Sequence, residues 1–391
     1  MRIGIFGGSF DPVHKEHIAL AREAVRSLCL DKLIVVPAAA PPHKPGKRLS
    51  PDEDRLQMCR IAFAQVANTE VSGYETERGG TSYTYLTCRH FKELYPQAEL
   101  FWLVGTDMLR DFPTWKNTQD ILQNVTLAVC ARAEQSGWLQ REQTAFFSRF
   151  GKQFAVVDYH GADVSSTHIR VLAAAGEDVA AYVGEEVQKY IKQRGMYAMN
   201  GVKAALELQK SPRKAHTLRV AETAAKRATS LGIDERQAIQ AALLHDCGKH
   251  LDEADARLTG FVLVPDWGEV PPHQYTGAYV AEHVLGVTDS EVLDAIRYHT
   301  SGRADMTVLG ALIFLADMVE DGRNYDGVDV LRTMYWQETP KSASKSLLFA
   351  CLEEALRRTI EYLEEKGEKV YPMTKRAYAF YKDQHKENGY E

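Results

Sequence analysis

Cysteine is sparse in this sequence and never paired. The six cysteines in 391 residues, at positions 29, 59, 88, 130, 247 and 351, form no C-x-x-C pair. That excludes a zinc knuckle and a disulfide framework and fits a reducing cytoplasm. Long apolar runs are also missing. The longest, Val308–Val319, is too short to cross a bilayer and contains Asp317. The first six residues read as a strand entering a glycine turn rather than as a charged start followed by an apolar stretch, so secretion and membrane insertion are not expected. Positive charge is not in excess. A formal charge of -6 argues against a nucleic-acid scaffold and leaves room for a local basic pocket that takes small anions. Repeats and low-complexity tracts are absent.

What is present is the balance of a soluble enzyme, 45% apolar and 26% charged, with aromatics spread along the chain. At about 100–200 residues per domain, this length predicts two domains. Short apolar runs at residues 2–6, 32–37, 99–104, 125–130 and 154–157 alternate with helical patterns such as 18–28 and 51–66. That alternation predicts βαβ units around a parallel sheet. After Tyr197 the strand-like runs stop and helix follows helix, interrupted mainly at residues 265–272, so the second half is expected to be all-α. The boundary is placed between domains of residues 1–198 and 199–391. Residues 382–391 are expected to fray.

The stretch Gly7-Gly8-Ser9-Phe10-Asp11-Pro12-Val13-His14-Lys15-Glu16-His17 lies between the first strand and the first helix, at the sheet edge where α/β folds bind ligands. Glycines there let backbone approach a phosphate, and a helix starting near His14 aims its N–H groups at the same anion. His14 and His17, three apart, share a helix face. Spacing alone fits a glycine turn with two surface histidines equally well. A second segment, Val164-Ser165-Ser166-Thr167-His168-Ile169-Arg170, sets three hydroxyls before a helix and an Arg one turn in. It serves either as a plain helix cap or as a holder for a triphosphate.

Together the two segments resemble the nucleotidyltransferase superfamily, with its H-x-G-H and S-T-x-x-R-type signatures. Within it, nearly all of the first 197 residues look most like bacterial nicotinate-mononucleotide adenylyltransferase. The residues that carry this are GGSFDPVH, Pro41-Pro42-His43-Lys44, Thr81-Ser82-Tyr83-Thr84, Gly105-Thr106-Asp107-Met108, Phe112-Pro113-Thr114-Trp115-Lys116 and SSTHIR. The resemblance implies a Rossmann-like sheet and a reaction of ATP with nicotinate mononucleotide, assisted by Mg²⁺. It places His14 and His17 on the transferring phosphate, and Lys44, Ser166, Thr167 and Arg170 on the β and γ groups. Gly7, Gly8, Ser9 and Phe10 would line the nucleotide, Trp115 would stack on the pyridine ring, Tyr83 and Thr84 would sit near its carboxylate, and Gly105 and Asp107 near the adenosine. One position departs from the pattern. Glu16 stands where the family usually has Gly, and it is expected to point outward from the first helical turn, so that Glu16→Gly leaves activity equal or improved.

In the second half, His216, His245, Asp246, His273, His299 and Asp317 can each be placed on an apolar helix stripe, for example Val292, Ala295, Ile296 and His299, or Gly310, Ile313, Phe314 and Asp317. A lone inward His is more often a bonded core residue than a ligand. Six such groups in one core are costly unless something pairs with them, and a shared metal site does so. The order H, HD, H, H, D resembles the HD superfamily of metal-dependent phosphohydrolases, and the two added histidines suggest two ions, with Asp246 able to bridge them. The donor set suits iron, manganese or zinc. Lys249 and Arg323 lie about a turn beyond ligands and could bind phosphates. The runs Tyr298-His299-Thr300-Ser301-Gly302 and Leu315-Ala316-Asp317-Met318-Val319-Glu320 make the domain look like bacterial enzymes that split diadenosine tetraphosphate into two ADP. Action on another nucleotide, or a nucleotide-sensing module without turnover, are the other readings of this half. A homo-oligomer is compatible with either.

Overall fold

The computed structural model describes residues 1–42, 48–131, 136–162, 164–264, 273–337 and 341–387. The chain divides near Met196 into two compact units, with Val171–Glu177 grouped with the second.

The first unit runs β1 (Arg2–Gly8), α1 (Lys15–Ser27), β2 (Lys32–Pro37), α2 (Asp52–Phe63), β3 (Thr69–Val71), α3 (Tyr74–Arg78), α4 (Thr84–Leu94), β4 (Glu99–Gly105), α5 (Thr106–Asp111), α6 (Thr118–Asn124), β5 (Thr126–Ala131), α7 (Ser136–Phe150), β6 (Ala155–Asp158), α8 (Ser166–Ala174), α9 (Ala180–Val183) and α10 (Glu185–Gln193). All strand pairs are parallel, in the order β3-β2-β1-β4-β5-β6. This is the expected α/β architecture. Strands covered on both faces are apolar throughout, as in β2, where Leu33, Ile34, Val35 and Val36 are all fully buried. Strand β3 was not expected from the sequence. It has only three residues, the middle one an exposed Glu70, so it offers no apolar run to read. The strand order reverses between β1 and β4, which opens a crevice at their carboxyl ends. Gly7 and Gly8 end β1 there and Gly105 ends β4.

The second unit is helical: α11 (Val202–Glu207), α12 (Ser211–Ala228), α13 (Glu235–Leu244), α14 (His273–His283), α15 (Ser290–Tyr298), α16 (Val308–Val319), α17 (Val328–Tyr335), α18 (Lys341–Glu365) and α19 (Pro372–Glu387). Side-chain caps start several of them. Asp234 accepts from the Arg236 amide, Asp289 from those of Glu291 and Val292, and Thr307 from that of Gly310. The core is centred on α16, of which Leu309, Ala311, Leu312, Ile313, Phe314, Leu315 and Ala316 are buried. No described helix is long and apolar enough to cross a membrane. The frayed end expected at residues 382–391 is corrected in part. Helix α19 continues through Glu387 because Ala377 and Tyr381 anchor it, with the Tyr381 hydroxyl accepting from the Met306 amide at 2.7 Å, and residues 388–391 lie outside the described set. The interruption at residues 265–272 also lies outside it.

Candidate active sites

At the end of β1 the chain turns through Ser9–Val13 and enters α1, with His14 as its N-cap. The His14 amide donates to His17 Nδ1 at 3.1 Å, and the two rings stack at 3.7 Å. His14 is buried, and burial lowers its imidazole to about 4, so the ring is neutral at pH 7. The turn is held by cations that bond its carbonyls. Arg55 of α2, wholly buried, donates from Nη1 to Ser9 O at 2.8 Å and from Nε to Ser50 O at 2.9 Å, and pairs with Asp52. Arg170 of α8 donates from Nη1 to Asp11 O and from Nη2 to Thr167 Oγ1 at 2.8 Å, while Ser166 Oγ donates to Pro12 O at 3.0 Å. The Ser165 hydroxyl caps α8 by accepting from the His168 amide at 3.1 Å. The two sequence segments are therefore brought together, with α8 docked on the glycine turn.

A cavity beside this turn is lined by Gly7, Gly8, Ser9, Thr84, Asp107 and Trp115, and also by Pro41, Pro42, Glu75 and Trp102. Gly105 caps the start of α5 at its edge, and Lys116 Nζ lies 4.4 Å from the Tyr83 ring centre. Phe10 was expected at the nucleotide. Its ring is instead buried against Phe6, His17 and Phe63, with the His17 ring 5.0 Å away, so it supports a catalytic candidate rather than facing a ligand. Lys44 lies outside the described residues. Glu16 does not point outward: its carboxylate accepts a hydrogen bond from the Tyr159 hydroxyl. Two residues that the sequence reading missed, Arg55 and Glu75, hold the cavity wall. Glu75 is buried, which raises its carboxyl above the ordinary range, and it accepts from Thr87 Oγ1 at 2.5 Å.

In the second unit, the six expected ligands converge. His216 lies in α12 and Asp317 in α16, His273 opens α14, and His245 and His299 sit immediately after α13 and α15. The stripe expectation is thus corrected for His245, Asp246 and His299, which lie in turns just past helix ends. Carbonyls of the last helical turns orient the rings: His245 Nδ1 donates to Ala242 O at 2.6 Å and His299 Nδ1 to Ile296 O at 2.7 Å. Each Nε2 is left with its lone pair facing inward. Close helix approach completes the arrangement. A Cβ on Gly248 would lie 2.5 Å from the Gly277 amide nitrogen and 2.6 Å from His273 O, so only glycine lets α14 approach the turn that carries Asp246.

The carboxylate of Asp246 divides between two groups. Its Oδ1 lies 3.5 Å from His299 Nε2 and 3.7 Å from His273 Nε2, while Oδ2 lies 3.5 Å from His245 Nε2. On the far side His216 Nε2 and Asp317 Oδ1 are 2.9 Å apart, and Asp317 Oδ1 is 4.0 Å from His245 Nε2. Two overlapping sets of side chains, His216/His245/Asp317 and His245/Asp246/His299, which share His245, each present donor atoms close enough to hold an ion. His245 Nε2 and Asp246 Oδ1 are buried and have no hydrogen-bond partner among the described residues, an expense that a bound cation removes. Burial lowers His245 to about 4 and His273 to about 3. Burial alone would raise Asp246 and Asp317, but Lys249 beside the first, and the His216 hydrogen bond with Arg323 beside the second, help to outweigh it and hold both ionised. Burial would lower His216 too, but its hydrogen bonds to Asp317 and Glu320 raise it, and a cation at Nε2 would take the place of that proton. Neutral imidazoles and ionised carboxylates are the forms that ligate metal, and the set fits divalent cations.

Cations ring this cluster. Lys249 Nζ is 3.3 Å from His273 Nε2, Arg323 pairs with the Asp317 carboxylate, and Arg213, unforeseen, lies 2.9 Å from Asp246 Oδ2. Glu320 was also missed. It is buried, its Oε1 accepts from His216 Nδ1 at 3.0 Å, and Arg219 Nε donates to its Oε2 at 2.5 Å. The signal for both was helical spacing: Arg213 and Glu320 each lie three residues from a ligand and so share its face.

Comparison with known proteins agrees with this division. Residues 5–172 match the cytidylyltransferase-like family model and residues 213–321 the HD domain model. A Mycoplasma pneumoniae protein named "Probable nicotinate-nucleotide adenylyltransferase/Ap4A hydrolase" is 31% identical over 83% of this chain and 92% of its own length. A Mycoplasma genitalium protein of the same name is 27% identical over 83% and 89%. An Albidiferax ferrireducens protein named "Probable nicotinate-nucleotide adenylyltransferase" is 40% identical over 50% of this chain and 98% of its own. Joining a cytidylyltransferase-like domain to an HD domain over nearly the whole length of the first of these relatives, the chain belongs to the family of nicotinate-nucleotide adenylyltransferase/Ap4A hydrolases.

Proposed function

We infer that the chain is a bifunctional cytoplasmic enzyme that transfers the adenylyl group of ATP to nicotinate mononucleotide and hydrolyses diadenosine tetraphosphate to two ADP. Residues 1–198 would perform the first reaction and 199–391 the second.

In the first reaction an oxygen of the mononucleotide phosphate attacks the α-phosphorus of ATP in line, the bond to the β-phosphate breaks, and pyrophosphate leaves. No protein nucleophile is required, so catalysis is positioning and charge stabilisation. His14 and His17 would meet the transferring phosphate. Ser166, Thr167 and Arg170 would hold the β and γ groups together with Lys44, and Mg²⁺ would accompany the ATP. Trp115 would stack on the pyridine ring, with Tyr83 and Thr84 near its carboxylate and Asp107 near the adenosine.

In the second reaction water adds across the central P–O–P bridge. Divalent ions held by His216, His245, Asp246, His273, His299 and Asp317, iron or manganese by donor chemistry, would supply Lewis acidity toward the phosphoryl oxygens. Lys249, Arg323 and Arg213 would bind the phosphates and neutralise the leaving ADP. The observation that carries the catalytic reading over a sensing one is the placement of Asp246 between imidazoles, its Oδ1 toward His273 and His299 and its Oδ2 toward His245.

The test is one panel on the full chain. ATP plus nicotinate mononucleotide with Mg²⁺ should yield the dinucleotide, and diadenosine tetraphosphate with Fe²⁺ or Mn²⁺ should yield two ADP. Removing a charge-stabilising contact at a transferring phosphate costs about 10²–10³-fold, so His17→Ala should lose that much of the first rate. Asp246→Ala should abolish the second and leave the first. Full activity of His17→Ala would defeat its assigned role, and ATP plus AMP as products would overturn symmetrical cleavage.

A further inference from the structure

Glu16 occupies a position where the adenylyltransferase pattern has glycine, and its surroundings are adapted to it. The Tyr159 hydroxyl donates to Glu16 Oε2 across 143 positions of sequence. A Cβ at Gly161 would collide with both that hydroxyl and that carboxylate, so a side chain at residue 161 would displace the pair as it stands. Tyr159 is itself fixed at the carboxyl edge of the sheet, where its amide donates to Ala131 O at 2.9 Å. From Tyr159 the chain leads to Ser166 and Arg170, which bond the carbonyls of Pro12 and Asp11.

We propose that Glu16 is a positioning residue, latching the β6–α8 connection to the first turn of α1 and thereby setting the face that holds the triphosphate. The hydrogen bond from a phenol to a carboxylate is charge-assisted, about twice as strong as a neutral one. It also occupies an anion that would otherwise stand free beside a polyphosphate. The Tyr159 hydroxyl and the Glu16 carboxylate form the pair, and Gly161 leaves room for it. The proposal rests on the adenylyltransferase reading of this domain. It reverses the expectation that glycine at position 16 would be harmless.

The experiment compares Glu16→Gly, Tyr159→Phe, the double variant and Glu16→Gln in the full chain. It measures KM for ATP and for nicotinate mononucleotide and the dissociation constant of a non-hydrolysable ATP analogue. Each single variant should raise KM for ATP and weaken the analogue about tenfold, with KM for the mononucleotide unchanged as a check on folding. The double variant should be no worse than either single, because both remove one interaction. Glu16→Gln should lose less than Glu16→Gly, since its amide oxygen accepts the same bond without the charge. Unchanged or tighter analogue binding in Glu16→Gly, or additive losses in the double variant, would overturn the latch. Tyr159→Phe removes only an oxygen and keeps the test valid if the glycine variant misfolds. A parent chain that binds the analogue but makes no dinucleotide would defeat the adenylyltransferase reading instead, and the binding comparison would still decide the latch.

Discussion

His14 is 6% exposed, and burial carries its imidazole down to about 4 from an ordinary 6.5. The unfolded chain therefore binds a proton on this ring between those two values that the folded chain does not. Its contribution to stability is therefore intact above about pH 6.5, declines as the pH falls toward about 4, and changes no further below. A His14→Gln variant should show a shallower loss of stability across that window than the parent, and the His14 ring should titrate near pH 4 by NMR. A ring titrating near 6.5 would contradict its burial. At this scale the chemistry-bearing histidines could be read from sequence, but Arg55 could not. Its task is to bond the Ser9 and Ser50 carbonyls, and nothing in D-E-D-R-L-Q distinguishes it from a solvated helix charge.

Elements place the candidate metal ligands by their ends as much as by their faces. Helices α13 and α15 stop where an imidazole can bond the carbonyl three residues before it, and α16 ends at Val319 so that its C-cap, Glu320, reaches His216 Nδ1. A carboxylate behind a ligating histidine sets the tautomer and raises ligand basicity, and its loss typically costs 10–100-fold in metal affinity. Glu320→Ala should therefore weaken metal binding by about that factor in a calorimetric titration while leaving dinucleotide synthesis untouched. Metal affinity equal to the parent's would show that Arg219 and Glu320 merely close the surface. Periodicity made the helices legible, whereas the stops that orient the rings depend on which carbonyl lies nearest, a feature with no period.

Across the whole molecule the two units carry different kinds of stabilisation. The sheet domain closes over an apolar core of β-strands and helices, while the helical domain directs four imidazoles and two carboxylates into one region of its own core. Buried groups of this kind destabilise the fold when unpaired, and a ligand that binds only the folded state stabilises it by about 2.7 kcal/mol at a hundred times its dissociation constant. Chelation should then lower the melting transition of the helical unit by about 5–10 °C and leave that of the sheet unit in place, as read by calorimetry. A shift of neither transition would mean that the cluster holds no ion in solution.

The sequence by itself determined the parallel sheet followed by a helical domain, the glycine turn with its two histidines, and the six candidate ligands, because each depends on local order: strand runs, turn residues and the order of histidines and aspartates along the chain. Tertiary structure decided the rest. Strand β3 exists because β2 offers it an edge to pair with, Arg55 and Glu320 matter through the carbonyl and the imidazole they face, and Phe10 turns into the core because Phe6 and Phe63 are there. The conduct of Glu16 was settled in the same way. Helix spacing gives it a direction from α1, but its partner hydroxyl and the empty volume at Gly161 come from a segment 143 residues away, and only folding brings the three together.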